Sequence, residues 1–260
     1  MTLFSREMFR RYSTMHHIAK LCAVLALLAA GGCSDDTAPS TVNPNPTTTT
    51  AVSPATTVLQ VGQTQVYTLT PAPAADVVVT WTSSNESVLA IDATGTATAL
   101  ANGVSTILGS SASGTSATLA VQVVPVYAGS WTGTSTVLAC TDLAGFAAAG
   151  YCAQSLGVTE RWTLTLAQSG LSVAGTMTKS EGANVLNGTV NGSIGGSGDL
   201  ISLTGTLAGF ARGANLVLTP ISWNALASGN SITGTWAANV TSQQILGIAT
   251  IQWRLAGTTQ

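Results

Sequence analysis

Alternation of apolar and polar residues, punctuated by glycine, constrains the fold of this chain more than any other feature. Five segments share the order apolar–x–Gly–Thr, and they begin at Trp131, Val173, Leu186, Leu203 and Ile232. Residues two apart in a strand lie on the same face, so the glycine falls on the apolar face and the threonine on the polar face. A glycine on the inner face lets a strand bend sharply where a small barrel closes. The repeat therefore predicts a β-barrel.

Short strands follow one another throughout residues 126–260. We predict eight of them, at 130–139, 158–168, 171–179, 185–193, 200–207, 215–223, 231–238 and 245–256. Ser169-Gly170 predicts a tight hairpin, and Pro220 predicts a local bulge in the sixth strand. Eight strands joined by short turns fit an antiparallel up-and-down barrel, because closure removes the exposed edges of a flat sheet.

A second set of short strands precedes Pro125 and predicts a small β-sandwich over residues 52–124. Its segments are Val61-Gly62-Gln63-Thr64, Trp81-Thr82-Ser83-Ser84-Asn85, the turn from Asp92 to Gly95, and Gly103 with Ile107. In order and spacing they resemble the group 2 bacterial immunoglobulin-like domain. The resemblance implies a stalk or adhesion module of surface proteins, with Trp81 between the sheets and no catalytic residues. The expected fold class is all-β, a sandwich followed by a barrel.

The N-terminal segment combines basic residues, an apolar run and a cysteine. Four basic residues, Arg6, Arg10, Arg11 and Lys20, precede an apolar run over residues 21–30, and Gly31-Gly32 leads to Cys33. In this order they resemble a bacterial lipoprotein signal. The run is too short for a transmembrane helix, which needs about 20 residues. An ordinary secretory signal is the alternative, but a cysteine directly after the small residues favours lipidation of Cys33. Ser34 at the next position resembles outer-membrane sorting.

These features predict four parts: a signal at 1–32, a tether at 33–51, the sandwich at 52–124 and the barrel at 126–260. Pro39, Pro44 and Pro46 favour an extended tether. From Cys33 onward, four basic residues face nine acidic ones, a net charge of −5. Nucleic acid is therefore not an expected partner, since phosphate binding needs a basic surface.

Histidine and cysteine usage limits the possible chemistry. Both histidines, His16 and His17, precede Cys33. Without a histidine, the remaining chain has no Ser-His-Asp catalysis and no histidine metal site. We expect no cofactor and no metal. Cys140 and Cys152 are predicted to pair, since disulfides persist in exported proteins. Their pairing would contribute about 3 kcal/mol on the chain-entropy model, and the loop between them is a possible lid.

The candidate site residues are all in the barrel. Five tryptophans can either line a ligand cavity or fill the core, and filling is favoured because eight-stranded barrels are just wide enough for side chains. They are Trp131, Trp162, Trp223, Trp236 and Trp253. Glu160 shares strand parity with Trp162, which places it at the inner rim. A buried carboxylate there can act as a general acid, but a position in water at the strand end or pairing with an arginine is favoured over catalysis.

Gly129-Ser130-Trp131 in the first strand and Arg254 in the last resemble the signature of the calycin superfamily, which includes the lipocalins. The resemblance implies barrel architecture and a tryptophan packed beneath an arginine. However, Trp253, not Arg254, shares the apolar face of the last strand.

Together these observations predict a non-enzymatic, lipid-anchored protein of the bacterial cell envelope, on the outer membrane. Cys33 would hold it in the membrane, and an Ig-like spacer would present the barrel to an extracellular ligand, protein or glycan. A purely structural or adhesive protein with a filled barrel is the alternative, and a carbohydrate-acting hydrolase is the third.

Overall fold

The computed structural model describes residues 49–260. The signal, Cys33 and nearly all of the predicted tether lie outside these residues. Nine strands come before Pro125: β1 (Ala51–Ser53), β2 (Val58–Gln60), β3 (Thr64–Val66), β4 (Thr68–Thr70), β5 (Val79–Ser83), β6 (Leu89–Ile91), β7 (Thr96–Ala99), β8 (Gly103–Ser111) and β9 (Ser116–Val124).

These strands form the predicted sandwich. One sheet has the order β2-β9-β8-β5 and another β3-β7-β6, while β1 pairs with β4. Between them lies a core that includes Tyr67, Leu89 and Ile107. Trp81 packs against this core but remains partly exposed. Gly95 has φ 83° in the turn from Asp92 to Gly95, as the sequence predicts.

The rest of the chain forms the barrel. Its elements are β10 (Gly129–Asp142), α1 (Gly145–Ala148), α2 (Tyr151–Ser155), β11 (Thr159–Ser169), β12 (Ser172–Glu181), β13 (Asn184–Ser193), β14 (Thr204–Gly205), β15 (Leu207–Ala211), β16 (Ala214–Ser228), β17 (Ser231–Ser242) and β18 (Ala249–Thr259).

The barrel is closed, antiparallel and up-and-down, as predicted. Each strand pairs with its sequence neighbours, and β10 pairs with β18 to complete the circle. The short strands β14 and β15 both pair with β13 and together take one place in the ring of eight. A register shift between Pro220 and Ser222 confirms the predicted bulge in β16.

Two predicted strands are misplaced. The fifth was expected at 200–207 but lies at 204–211, because Leu200 leaves the strand ladder and forms bridges to Ile194 and Ala225. The eighth was expected at 245–256 but begins at Ala249, after a loop in which Gly247 has φ 113°. In both segments the apolar residues that imitated strand alternation belong to loops at the ends of the barrel.

The repeated glycines lie where neighbouring strands come closest. Gly175, Gly188 and Gly234 are on the inner face, as the alternation predicts. A Cβ atom at Gly188 would collide with the backbone carbonyl oxygen of Thr206, and one at Gly175 with that of Thr165. The glycines therefore permit a backbone approach that no other residue allows.

This packing predicts that Gly188→Ala lowers the free energy of unfolding by about 1–3 kcal/mol, the usual cost of overpacking. Gly196→Ala is the matched control, because a Cβ atom there meets nothing within 4 Å. Its effect should stay within about 0.5 kcal/mol. Urea unfolding followed by circular dichroism measures both, and equal stability of the two variants would contradict the role given to Gly188.

Candidate functional site

The five tryptophans named as possible ligand-lining residues fill the barrel. Each is at most 4% exposed, and all belong to one apolar core. Strand register brings three of them together, since Trp236 pairs with Trp223 on one side and Trp253 on the other. The rings of Trp236 and Trp253 stack at 4.2 Å, and those of Trp223 and Trp236 lie 5.4 Å apart. These side chains are a packed core.

A narrow cleft opens at the end of the barrel that carries α1 and α2. Its free volume is about 20 Å³, which is room for about one water molecule. Of the five tryptophans, Trp253 alone lines it. Small-molecule sites are usually hundreds of cubic ångströms in volume, so this cleft does not provide a chamber for a ligand of that size.

An ion pair lies at the bottom of the cleft. Glu160 is on the inner face of β11 and Lys179 on the inner face of β12, and Lys179 Nζ contacts Glu160 Oε2. The side chains are 12% and 2% exposed respectively. Trp253 Nε1 donates a hydrogen bond of 2.7 Å to the same carboxylate oxygen, and its ring centroid lies 4.4 Å from Lys179 Nζ. Glu160 is thus paired with a lysine inside the barrel, whereas the sequence favoured a position in water or pairing with an arginine.

A second, more exposed ion pair stands at the rim. Arg212 donates to Glu181 at 2.9 Å, and its guanidinium lies 5.6 Å from the ring centroid of Tyr151. Burial holds the pKa of Lys179 well below its usual value, and the positive charge of Arg212 adds to this effect while Glu181 opposes it. Burial also raises the pKa of Tyr151, with Arg212 opposing. The cleft therefore brings charges of both signs together beside buried side chains.

The predicted disulfide fastens a helical cap over this end. Cys140 and Cys152 are bonded, with Cα atoms 5.3 Å apart. Asp142 accepts a hydrogen bond of 2.9 Å from the backbone N–H of Cys152. Phe146 is fully buried and meets Tyr151 edge-on, with ring centroids 5.1 Å apart. The connection between β10 and β11 is therefore a closed cap, in the place where the sequence suggests a lid.

Tyr127 closes the opposite end. Its hydroxyl donates to the carbonyl oxygen of Gly198 at 2.8 Å and accepts the backbone N–H groups of Leu200 and Ala227 at 3.1 and 3.2 Å. Its own carbonyl oxygen accepts the indole N–H of Trp131 at 2.8 Å. Tyr127 is fully buried, so these bonds are made away from water. Tyr127, in the linker after β9, and the loops that it binds thus close this end of the barrel, which we call the floor.

The sandwich contacts the barrel at this floor. Asn102 Nδ2 donates to the carbonyl oxygen of Ser197 at 2.6 Å, and Gln122 Nε2 donates to that of Gly195 at 3.1 Å. Val124, the last residue of β9, belongs to the apolar core of the barrel. Hydrogen bonds and shared core therefore join the two β structures, in addition to the covalent linker.

The pair that carried the calycin resemblance is separated. Trp131 is buried in the core, whereas Arg254 lies on the outer face of β18 and is exposed. A tryptophan packed beneath an arginine is therefore not formed by these two residues, because the alternation of β18 turns Trp253 inward instead. The barrel architecture stands without this signature.

Two residues that organise the site were missed from the sequence. Lys179 follows Val173, Gly175 and Met177 at period two, so the same alternation could have predicted that its side chain points inward. The signal was overlooked because lysine is rarely buried. Tyr127 gave no such signal, since its hydrogen-bond partners come from loops far along the chain.

Within residues 49–260, no helix is long and apolar enough to cross a bilayer. The same residues contain no group of three or more His, Cys, Asp or Glu side chains that could hold a metal ion.

The family model for the bacterial Ig-like domain (group 2) matches residues 46–121. This part of the chain is an Ig-like domain. The match agrees with the sandwich and with the motifs around Val61, Trp81 and Gly95. No curated protein matches the chain. The Ig-like domain thus accounts for the first β structure, and the barrel that follows it lies outside the matched segment.

The buried ion pair predicts a strong effect of Lys179→Met, which leaves the Glu160 carboxylate buried without its cation. The free energy of unfolding should fall by about 3–5 kcal/mol. Glu181→Gln is the control, because it breaks the more exposed pair and should cost about 0–1 kcal/mol. Denaturant unfolding of the two variants checks this, and a loss for Lys179→Met no larger than for Glu181→Gln would refute the assignment.

Proposed function

We propose that this chain is a non-enzymatic lipoprotein of the bacterial cell envelope, anchored through Cys33, in which the Ig-like domain carries a filled β-barrel. Its role is structural or adhesive, and the barrel meets a protein or glycan partner with its outer surface. One observation favours this function over that of a carrier of small ligands, which is that the barrel interior is occupied by its own tryptophans.

The closed ends of the barrel support the same choice. Tyr127 and the loops it binds occupy one end, and the cap held by Cys140–Cys152 occupies the other. A small ligand would need to displace one of them to enter. The Ig-like match adds support, because such domains occur in bacterial surface proteins.

Exposed apolar side chains at the capped end suggest where a partner would bind. Leu143 and Leu246 are 66% and 84% exposed, and Gly145 donates a backbone hydrogen bond of 2.7 Å to Leu246, which brings the two loops together. Phe210 is exposed on the neighbouring outer face and pairs with Val185 across the strands. Exposed apolar groups of this kind often mark interaction surfaces.

The arrangement around Glu160 argues against the hydrolase. Its carboxylate is occupied by Lys179 and by the indole of Trp253, and glycoside hydrolysis needs a second carboxylate across an accessible bond. Glu181, the other carboxylate at the cleft, is paired with Arg212 at the rim. We therefore propose no enzymatic activity.

The anchor is tested by Cys33→Ser. Two or more acyl chains give stable membrane attachment, so the protein should move from the outer-membrane fraction to the soluble fraction when the acylated thiol is lost. Cys22→Ser is the matched control, because that cysteine lies inside the predicted signal, and it should leave the protein in the membrane. Immunoblots of separated membrane and soluble fractions measure both, and membrane retention of Cys33→Ser would overturn the anchor.

A further inference from the structure

Lys179 is unusual in both sequence and structure. It is the only lysine after Lys20 in the chain. A lysine that aids solubility would be exposed to water. Lys179 instead lies on the inner face of β12, and only 2% of its side chain is accessible. Its ammonium group has one ionic partner in contact, Glu160 on the adjacent strand. A lone amine and a lone carboxyl are thus held together inside a core.

Burial of this pair favours its uncharged form. Two aromatic rings, those of Trp253 and Trp236, lie 4.4 and 5.9 Å from Lys179 Nζ, where their faces attract the ammonium charge and so oppose part of the effect of burial. Burial lowers the pKa of the lysine, and burial of a carboxyl acts in the opposite direction. Transfer of one proton from the ammonium to the carboxylate gives an amine beside a carboxylic acid, the two groups from which an amide forms.

We propose that Lys179 and Glu160 condense into an intramolecular amide, an isopeptide bond between Nζ of the lysine and Cδ of the glutamate. The inference goes beyond the proposed function and does not depend on the anchor or on a partner.

The reaction balances without any cofactor. The neutral Nζ attacks Cδ, and Oε2 takes the developing negative charge while Trp253 Nε1 donates to it at 2.7 Å. The bond from Cδ to Oε1 then breaks. Oε1 leaves as water with the proton of the carboxylic acid and one proton from the amine, and the remaining proton becomes the amide N–H. Nothing is oxidised or reduced.

Holding the amine and the carboxyl in contact favours their condensation, which is unfavourable for free groups in water. Groups held in contact behave as if at effective concentrations of about 10⁵–10⁸ M. The adjoining cleft has a free volume of about 20 Å³, enough to receive the one water released, and it leads past Ser180 and Asn184 at the rim. The amide also removes two buried charges, whose desolvation is costly.

The bond would link the start of β11 to the end of β12. The Cys140–Cys152 disulfide lies at the same end and fastens the cap. Two covalent links of different chemistry would then hold the mouth of the barrel, and a reductant would break only the disulfide.

Tryptic mapping of the purified full chain tests the proposal. Trypsin cuts after Arg161 and Arg212, and it cuts after Lys179 only if the amine is free. The proposal predicts that residues 162–212 stay uncleaved and joined to the peptide that ends at Arg161, with a mass lower by one water than the two together. Separate peptides of full mass, with cleavage after Lys179, would overturn it and leave a simple ion pair.

Substitutions at the two carboxyl groups of the cleft identify the one that reacts. Glu160→Gln should give a linked peptide of the same mass as the linked peptide of the Glu160 protein, because ammonia leaves in place of water. Glu181→Gln changes the neighbouring carboxylate at the rim and should leave the link intact. A link that survives Glu160→Ala, or that moves to Glu181, would contradict the assignment to Glu160.

Discussion

The close approach of strands across inward-facing glycines is the constraint on which the barrel depends. At Gly175 and Gly188 a neighbouring backbone carbonyl occupies the space where a side chain would begin. This lets the strands coil tightly enough to close an eight-stranded ring. Tryptophans on the same inner faces then fill the interior, so small and large residues alternate within one core. The closure of the barrel and the filling of its interior thus both follow from the pattern of inward-facing residues.

The filled interior determines what the molecule can do. Tyr127 occupies one end of the barrel, the floor, and the disulfide-bonded cap occupies the other, so the partner that we propose would meet the outer surface. The same floor carries the contacts from Asn102 and Gln122, which join the Ig-like domain to the barrel. The covalently fastened cap and the filled interior are the structural grounds on which we propose a role in binding or architecture.

Much of this fold follows from period-two patterns. The alternation indicated the inner faces, the barrel class and the pairing partners of most strands, because burial and pleat obey local rules. Pro220 indicated the bulge, because proline cannot donate to the strand ladder. Leu200 and the residues before Ala249 were misassigned because loops that cross the barrel ends are also rich in apolar residues. That the tryptophans fill the barrel was favoured from the number of strands, because an eight-stranded barrel is just wide enough for side chains. The contacts of Tyr127 depend on distant loops and could not be predicted from residue spacing. The inward position of Lys179 could have been predicted from the alternation, but it was overlooked because lysine is usually exposed to water.

Tryptophan fluorescence with the quencher acrylamide tests the filled barrel most directly. The chain has six tryptophans, of which five are at most 4% exposed and only Trp81 is partly accessible. Acrylamide should therefore quench a minor part of the native emission, and the variant Trp81→Phe should leave blue-shifted emission that is protected until the protein unfolds. Efficient quenching of native Trp81→Phe would show that water reaches the barrel tryptophans, and it would contradict a packed interior.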